Sequence, residues 1–168
     1  MFKTQMAAFL TTILAVAASA CSATEARPVA AASGVLACPG GAVQTEEDAA
    51  RFEGCETIVG DLRISRSELT DLLAFSQLHR VSGKLVVEGN AKLTSLGGLH
   101  NVEQAGSVEI RNNRVLGAFP AFLPQLKRVD ESVVLDANRA LSKRQVSALV
   151  DRLEQQVIVS RDVTIAAN

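Results

Sequence analysis

Val81-Ser-Gly-Lys-Leu-Val-Val-Glu-Gly-Asn90 is the stretch that decides the fold, because its pattern returns along the chain. The pattern is an aliphatic residue, a Gly two positions later, two aliphatic residues at alternate positions, and an Asn three positions after the second of them. Further versions of this cassette, some lacking one of these residues, begin at Ile58, Gly106, Val129 and Val159. One short unit cannot bury its apolar face alone, so the five versions predict units that stack on one another.

The last aliphatic residue of each cassette gives the period of the pattern. These residues are Ile64, Val87, Ile110, Leu135 and Ile165, and the steps between them are 23, 23, 25 and 30 residues. Alternation along a strand turns a second set to the same inward side, namely Leu62, Leu85, Val108, Val133 and Val163. The long connections exclude hairpins and favour parallel pairing. The sequence therefore predicts a repeat β-solenoid of short parallel strands around one aliphatic column.

Glycines mark the start of the first three predicted strands. Gly60, Gly83 and Gly106 suit a tight bend or bulge at these positions. Glu131 and Arg161 replace the glycine in the last two cassettes. We therefore expect the bends of those two cassettes to differ from the first three.

Asparagines follow the predicted strands at Asn90, Asn113, Asn138 and Asn168. Asn tolerates the left-handed backbone conformation and bonds neighbouring backbone groups. The sequence therefore predicts a structural Asn column that turns the chain after each strand, and no catalytic role for these side chains.

The connections between strands carry their own patterns. The run Leu93-x-x-Leu96-x-x-Leu99-x-x-Val102 closes the back of the predicted core. Residues 142–156 have helical spacing with Ser142 as the N-cap, and we expect this helix to pack against the flank rather than to bind a partner. Phe119 and Phe122, in a proline-flanked loop, either close the core or form an exposed apolar anchor.

Residues 1–20 read as a signal peptide. An uncharged, mostly apolar run of thirteen residues ends at Ala18, and it is shorter than the roughly 20 residues that a membrane span needs. The next residues allow cleavage after Ala20, and they also resemble a bacterial lipobox in which Cys21 becomes the lipidated N-terminus. Residues 21–36 are rich in small residues and predict a flexible tether.

The cysteines are Cys21, Cys38 and Cys55. Thiols of an exported protein pair in its oxidising surroundings, so an odd number leaves one over. If Cys21 carries lipid, Cys38 and Cys55 form one bridge. Otherwise Cys21 is unpaired or joins two chains. We favour a lipid-anchored envelope protein of a bacterial membrane, with plain secretion as the alternative.

Residues 37–168 form the predicted solenoid, with an N-terminal cap at 38–55 and coils from residue 56. Thr45 precedes three acidic residues, which is a favourable start for a helix that runs to about Phe52. A cap is needed because the first coil of a solenoid otherwise exposes its core. A bridge that closes this loop is worth about 3 kcal/mol.

Four stretches resemble the receptor L domain of the insulin and epidermal growth factor receptors and of their bacterial and fungal surface relatives. They are Cys55-Glu-Thr-Ile-Val-Gly-Asp-Leu-Arg-Ile64, Val81 to Asn90 as quoted above, Leu93-Thr-Ser-Leu-Gly-Gly-Leu99 and Gly106-Ser-Val-Glu-Ile-Arg-Asn-Asn113. The resemblance implies a right-handed, leucine-rich-repeat-like solenoid, a Cys38–Cys55 bridge in a helical N-cap, and a protein ligand. The ligand-contacting residues of the receptors have no counterparts that can be placed here.

The sequence contains no recognisable catalytic motif, nucleotide-binding loop or metal-ligand spacing. Its two histidines, His79 and His100, fall at different places relative to the cassettes. Trp and Tyr, the usual platforms for sugars and single-stranded nucleic acids, are absent. We therefore expect no enzyme activity, no metal and no cofactor.

Outward positions of the strands form the candidate binding face. Its residues are Arg63, Val86, Glu88, Glu109, Arg111, Val134 and Asp136. Glu88, Arg111 and Asp136 alternate in sign at a strand spacing of about 4.8 Å. This arrangement predicts either a surface charge ladder, worth at most about 1 kcal/mol per pair, or a polar docking strip for a protein.

These features predict a non-enzymatic cell-envelope lipoprotein with a binding or structural solenoid and a protein partner. Removing Lys3 with the signal leaves 16 basic and 18 acidic residues, a net charge of −2, which gives no reason to expect nucleic acid. The alternatives are a polysaccharide-active β-helix enzyme and a ligand-free spacer. We also expect the last coil to pack against another envelope protein or a second copy.

Overall fold

The computed structural model describes residues 29–30, 34–117 and 123–166 of the chain. In these residues one mostly parallel sheet dominates, and helices are few. The strands are β1 Val29–Ala30, β2 Leu36–Val43, β3 Thr57–Ser65, β4 Arg80–Glu88, β5 Gln104–Arg111, β6 Arg128–Val129, β7 Val133–Asp136, β8 Ile158–Val159 and β9 Val163–Ala166. The helices are α1 Glu46–Ala50 and α2 Lys143–Gln156, and 3₁₀ turns cover Leu73–Phe75 and Gly97–Leu99. The prediction of parallel strands is confirmed.

The strands pair in the register that the cassette period predicts. The five period-marking residues are direct partners in successive strands: Ile64 with Val87, Val87 with Ile110, Ile110 with Leu135, and Leu135 with Ile165. The chain therefore returns to the same position of a neighbouring strand after 23, 23, 25 and 30 residues.

The inward aliphatic residues form the core, with one exception. Leu62, Leu85, Val108 and Val133 are fully buried and occupy one register column. Val163, the fifth member of the predicted column, is instead 39% exposed. Its strand β9 pairs with β7 and with no other strand in the described residues, so no strand pairs with its second edge there.

The glycine positions mark a bend in the first three cassettes. β3 and β4 each run for 9 residues and pass through the bend without a break. Gly60 has a φ of +106°, and a Cβ on Gly83 would lie 2.7 Å from the Gly60 carbonyl carbon, so neighbouring strands approach too closely here for a side chain. Where Glu131 and Arg161 replace glycine, the strand breaks into β6 and β7, and into β8 and β9. The bends therefore differ, as the sequence predicts.

The sheet begins earlier than predicted. β2 lies within the predicted cap and tether and pairs in parallel with β3. Val29 and Ala30, within the predicted tether, pair antiparallel with the first residues of β2. β2 is not recognisable in the sequence because Gly40 and Gly41 interrupt any alternating apolar pattern.

The cap helix starts where predicted and ends sooner. The Thr45 side chain accepts a hydrogen bond from the Asp48 N–H, and Asp48 bonds back to the Thr45 N–H, which forms a capping box. α1 ends at Ala50 instead of Phe52, and a turn ends at Gly54, whose φ is +77°. The predicted disulfide is confirmed: Cys38 and Cys55 are bonded and buried.

The second helix packs against the preceding connection. Leu149 and Leu153 of α2 are buried. The Gln145 side chain donates a hydrogen bond to the Gly117 carbonyl, at 3.2 Å, and Arg152 donates to the Leu123 carbonyl, at 2.7 Å. Burial lowers the pKa of Arg152. Packing against the flank is therefore the role of α2 that the contacts support.

The back of the core is closed by the run that the sequence singled out, since all four of its aliphatic residues are buried: Leu93, Leu96, Leu99 and Val102. Leu116 and Leu126 of the next connection are buried as well. Phe119, Phe122 and the last predicted column member, Asn168, lie outside the described residues.

Candidate binding face

Two columns of outward side chains cover the second half of the parallel strands. The first column is Arg63, Val86, Glu109, Val134 and Thr164, and the second is Ser65, Glu88, Arg111, Asp136 and Ala166. Each member is the direct register partner of the next, so parallel pairing brings together residues that lie 23 to 30 positions apart in the chain. Every predicted face residue therefore belongs to one continuous surface.

Glu109 is the centre of the charges on this face. Its carboxylate lies 3.6 Å from the Lys84 Nζ and 3.3 Å from the Arg111 Nη2. Arg111 forms no ion pair with Glu88 or Asp136, although both are its register partners. The predicted ladder of alternating charges is therefore wrong in its pairing, since Arg111 turns to a carboxylate on its own strand.

Val86 is covered, although its position faces outward. It is 3% exposed, against the prediction that it contributes to an exposed face. Arg63 and Glu109 are its neighbours on the two adjacent strands, and Glu109 is held in place by two cations. Long side chains on neighbouring strands pack over a short one between them. Val86 therefore supports the face from beneath and does not present itself to a partner.

Arg111 carries an unsatisfied donor. Its Nη2 binds Glu109, but its Nε is buried and has no hydrogen-bond partner, the one such side-chain atom in the part of the chain that the structure describes. A buried donor without an acceptor costs about 1–3 kcal/mol, and more for a charged group. The Arg111 side chain is 39% exposed, so a rotation that turned its Nε outward would let an acceptor on a bound molecule recover that cost.

The asparagine side chains lie under the end of this face and are fully buried. The Asn113 Nδ2 donates to the Val87 carbonyl at 2.9 Å and to the Asn138 Oδ1 at 3.2 Å. The Asn113 Oδ1 accepts from the backbone N–H of Asn90 at 3.0 Å. Ser67 takes the first place of the column, where its N–H and hydroxyl both donate to the Asn90 Oδ1 at 2.8 Å.

The left-handed turn falls one residue before the column, not on it. A residue with positive φ directly precedes each member of the column: Arg66 before Ser67, Gly89 before Asn90, Asn112 before Asn113 and Ala137 before Asn138. The sequence predicts a column that combines turning and bonding. The structure divides these tasks, because the preceding residue turns and the amide bonds across strands.

Neither histidine belongs to the two columns of this face. His79 and His100 are both exposed. The His79 carbonyl accepts a hydrogen bond from the backbone N–H of Glu103, three residues after His100. No three His, Cys, Asp or Glu side chains gather in a metal-like arrangement within residues 34–117 and 123–166. Cys21 lies outside the described residues.

A cleft beside the cap was not predicted from the sequence. A cleft of about 260 Å³ lies between α1 and residues 69–75, and its lining includes Glu46, Glu53 and Asp71 beside apolar side chains. Lys84, which fixes Glu109, was also missed because it lies outside the two predicted columns. Both features depend on side chains from distant segments, which periodicity along the chain does not reveal.

Two observations bear on the compartment. The Cys38–Cys55 disulfide is typical of oxidising, exported surroundings. Neither helix in the described residues has the length and apolar character needed to cross a bilayer.

No protein-family model, no curated protein and no solved structure matches the chain.

Proposed function

We propose that this protein is an exported, non-enzymatic binding protein of the cell envelope that is anchored by lipid on Cys21 and docks a protein partner on the outward face of its sheet. The observation that carries the proposal is the buried Arg111 Nε without an acceptor, beside a carboxylate fixed by two cations. A partner that supplies an acceptor, such as a backbone carbonyl or a carboxylate, would satisfy it once the partly exposed Arg111 side chain turns its Nε outward.

The sheet, in this proposal, is one wall of a right-handed, leucine-rich-repeat-like solenoid of the receptor L domain type. Three features support this interpretation: the 23-residue register of β3, β4 and β5, the hydrogen-bonded asparagine column, and the disulfide that fastens α1 beside the first long strands. A solenoid presents its strand face as a continuous surface, which suits docking of an extended or folded partner.

The charge pattern favours a protein over other ligand classes. The face carries three cations, Arg63, Lys84 and Arg111, and three anions, Glu88, Glu109 and Asp136. Such interspersed charges fix the orientation of a complementary protein surface, whereas nucleic acid and anionic lipid select surfaces of one positive sign. The small residues Ser65 and Ala166 lie at the two ends of the charged column.

Site-specific photocrosslinking in intact cells tests the proposal. A photoreactive amino acid is placed at Arg63 or Val134 on the face, and at Lys92, an exposed position in a connecting segment, as the control. We expect one discrete crosslinked product from both face positions and none from Lys92. Arg111→Glu should remove the product without lowering the melting temperature by more than a few degrees, because Arg111 is partly exposed.

The competing functions give different outcomes. A ligand-free spacer gives the same diffuse background from all three positions. If the protein is a polysaccharide-active enzyme, adding the purified protein to envelope glycans accelerates the release of soluble products. Release of the protein from the membrane fraction by Cys21→Ser tests the anchor separately, and unchanged membrane association of this variant would contradict lipidation.

A further inference from the structure

One edge of β9 is unpaired in the described residues. The other edge pairs with β7: the Asp162 carbonyl accepts from the Val133 N–H at 3.0 Å, and the Ala166 carbonyl accepts from the Ala137 N–H at 3.2 Å. Backbone groups of successive residues in a strand point to opposite edges. The N–H and C=O groups of Val163 and Ile165 therefore point away from β7, toward the open edge.

The same edge exposes aliphatic side chains. Val163 and Ile165 are exposed and half-buried, whereas their register partners in β7, Val133 and Leu135, are fully buried. Unpaired backbone groups beside an exposed Val163 and a half-buried Ile165 offer an edge that another strand can cover. The edge thus suits a β-strand with inward aliphatic residues at alternate positions.

We propose that a second copy of this chain supplies that strand, and that two β9 strands pair antiparallel about a two-fold axis through Thr164. In this register Val163 lies opposite Ile165 of the second copy, and Ile165 lies opposite its Val163. Because the axis is perpendicular to the sheet, inward residues meet inward residues, and both the sheet and the aliphatic core continue from one copy into the other. This inference goes beyond the proposed binding function and does not depend on it.

Hydrogen-bonding geometry selects this register. Val163 and Ile165 of each copy exchange both backbone hydrogen bonds with their opposite residues, which gives about four bonds, and Thr164 faces itself as a non-hydrogen-bonded pair. A shift by one residue would set inward side chains against outward ones. A register centred on Val163 would place Arg161 opposite an aliphatic residue, so the Thr164 register alone uses both aliphatic residues twice.

Self-pairing also suits the charges at this edge. Residues 163–166 carry no charged side chain, so the symmetric pairing sets no like charges opposite each other. About four backbone hydrogen bonds and two aliphatic residues from each copy make a small contact for a stable interface, so we expect a reversible dimer. Anchoring on one membrane would raise its population by raising the effective concentration.

Disulfide trapping tests the register directly. The full chain with Cys21→Ser is used, so that no other thiol is available once Cys38 and Cys55 are bonded. Thr164→Cys should form a dimer under mild oxidation, because Cα atoms of a non-hydrogen-bonded pair lie about 4.5 Å apart, within disulfide range. The matched control is Ala166→Cys on the same outward side of β9, which faces Asp162 of the second copy and should stay monomeric.

Charge substitution at Thr164 adds a test that needs no oxidation. Thr164 is exposed, so Thr164→Lys and Thr164→Glu should fold normally, as circular dichroism would show. Each variant alone should dimerise about tenfold more weakly, because like charges then face each other across the axis, and mixing the two should restore dimers. Sedimentation velocity measures all three samples.

The outcomes separate the possible occupants of the edge. Equal trapping at both cysteine positions, or mixed charge variants that remain monomeric, would overturn the proposal. So would a monomeric parent protein whose β9 crosslinks to a different envelope protein. Arg111→Glu should leave the dimer intact, so failure of the binding face and failure of the edge pairing can be told apart.

Discussion

The two ends of the described sheet differ in how their apolar side chains are covered. At the N-terminal end, β1 pairs with β2, and α1 with its disulfide closes the adjacent core, so that Val43 of β2 is fully buried. At the β8–β9 end, Val163 is 39% exposed, and the inward residues Val159 and Ile165 are only half-buried. Both ends use the same kind of parallel strand, yet only the first has its apolar side covered within the described residues.

The difference shows where the stability of such a sheet is set. Strands in the middle bury each other, so each contributes through two neighbours, whereas a terminal strand depends on what covers its outer side. At the N-terminal end Phe52 provides that cover, because its ring packs 5.8 Å from the ring of Phe75. Substitutions at this end should therefore cost far more than similar ones in β9.

Phe52→Ala should have the largest effect. The Phe52 ring is buried, and removing a buried phenylalanine side chain typically lowers the free energy of unfolding by about 3–5 kcal/mol. The control is Leu73→Ala, a large exposed residue next to the same cap, which should cost less than about 0.5 kcal/mol. Urea denaturation measures both, and equal losses would show that the cap does not seal the core.

Removing the disulfide should have the next largest effect and a local signature. The double variant Cys38→Ala, Cys55→Ala frees a loop with a sequence separation of 17 and should lose about 3 kcal/mol. Amide hydrogen exchange should speed up first in α1 and β2, while β7 and α2 keep their protection. A uniform increase along the whole chain would contradict an end-specific role.

The sequence predicts the middle of the sheet best. Leu85 and Val108 were placed correctly because strict alternation and a constant step give each residue one inward position. β2 was missed because Gly40 and Gly41 carry no alternation, and β8 was missed because two residues are too few to show a period. Local pattern thus identifies a strand only where the strand is long and aliphatic.

The candidate site was predicted as a set of positions, not as contacts. Register placed Glu109 and Arg111 on one surface, since pairing follows from the period. Their ion pair, the participation of Lys84 and the burial of Val86 depend on how long side chains fold over neighbouring strands. Side-chain conformation of this kind is decided by three-dimensional neighbours, which a single sequence does not display.

A matched pair of valines measures the two environments within one register column. Val133 is fully buried, and Val163, its direct partner in β9, is 39% exposed. Val133→Ala should cost about 2 kcal/mol, and Val163→Ala less than about 1 kcal/mol. Chemical denaturation at low protein concentration, where the β9 dimer dissociates, gives both values. Equal costs would mean that β9 is as well covered as β7.

The smallest expected effect is on the pH dependence of stability, and it should differ between the two helices. The backbone N–H of Gln44 donates to the Asp48 carboxylate and, with the bonds from Thr45 and the Arg51 charge, holds the pKa of Asp48 below its usual 3.8. Because the folded-state pKa is lowered, this stabilisation is present above the unfolded pKa and is lost as the pH falls through the folded value. Asp48→Asn should therefore make the free energy of unfolding depend less on pH in the acid range.

The control for this prediction comes from α2. Its capping box uses Gln145, which accepts from the Ser142 N–H at 2.9 Å and does not ionise. Acid should thus loosen the cap of α1 while leaving that of α2 unchanged, which amide exchange at pH 2.5 and pH 5 would resolve once corrected for intrinsic rates. Equal loosening of both helices would show that acid acts on the whole sheet and not through Asp48.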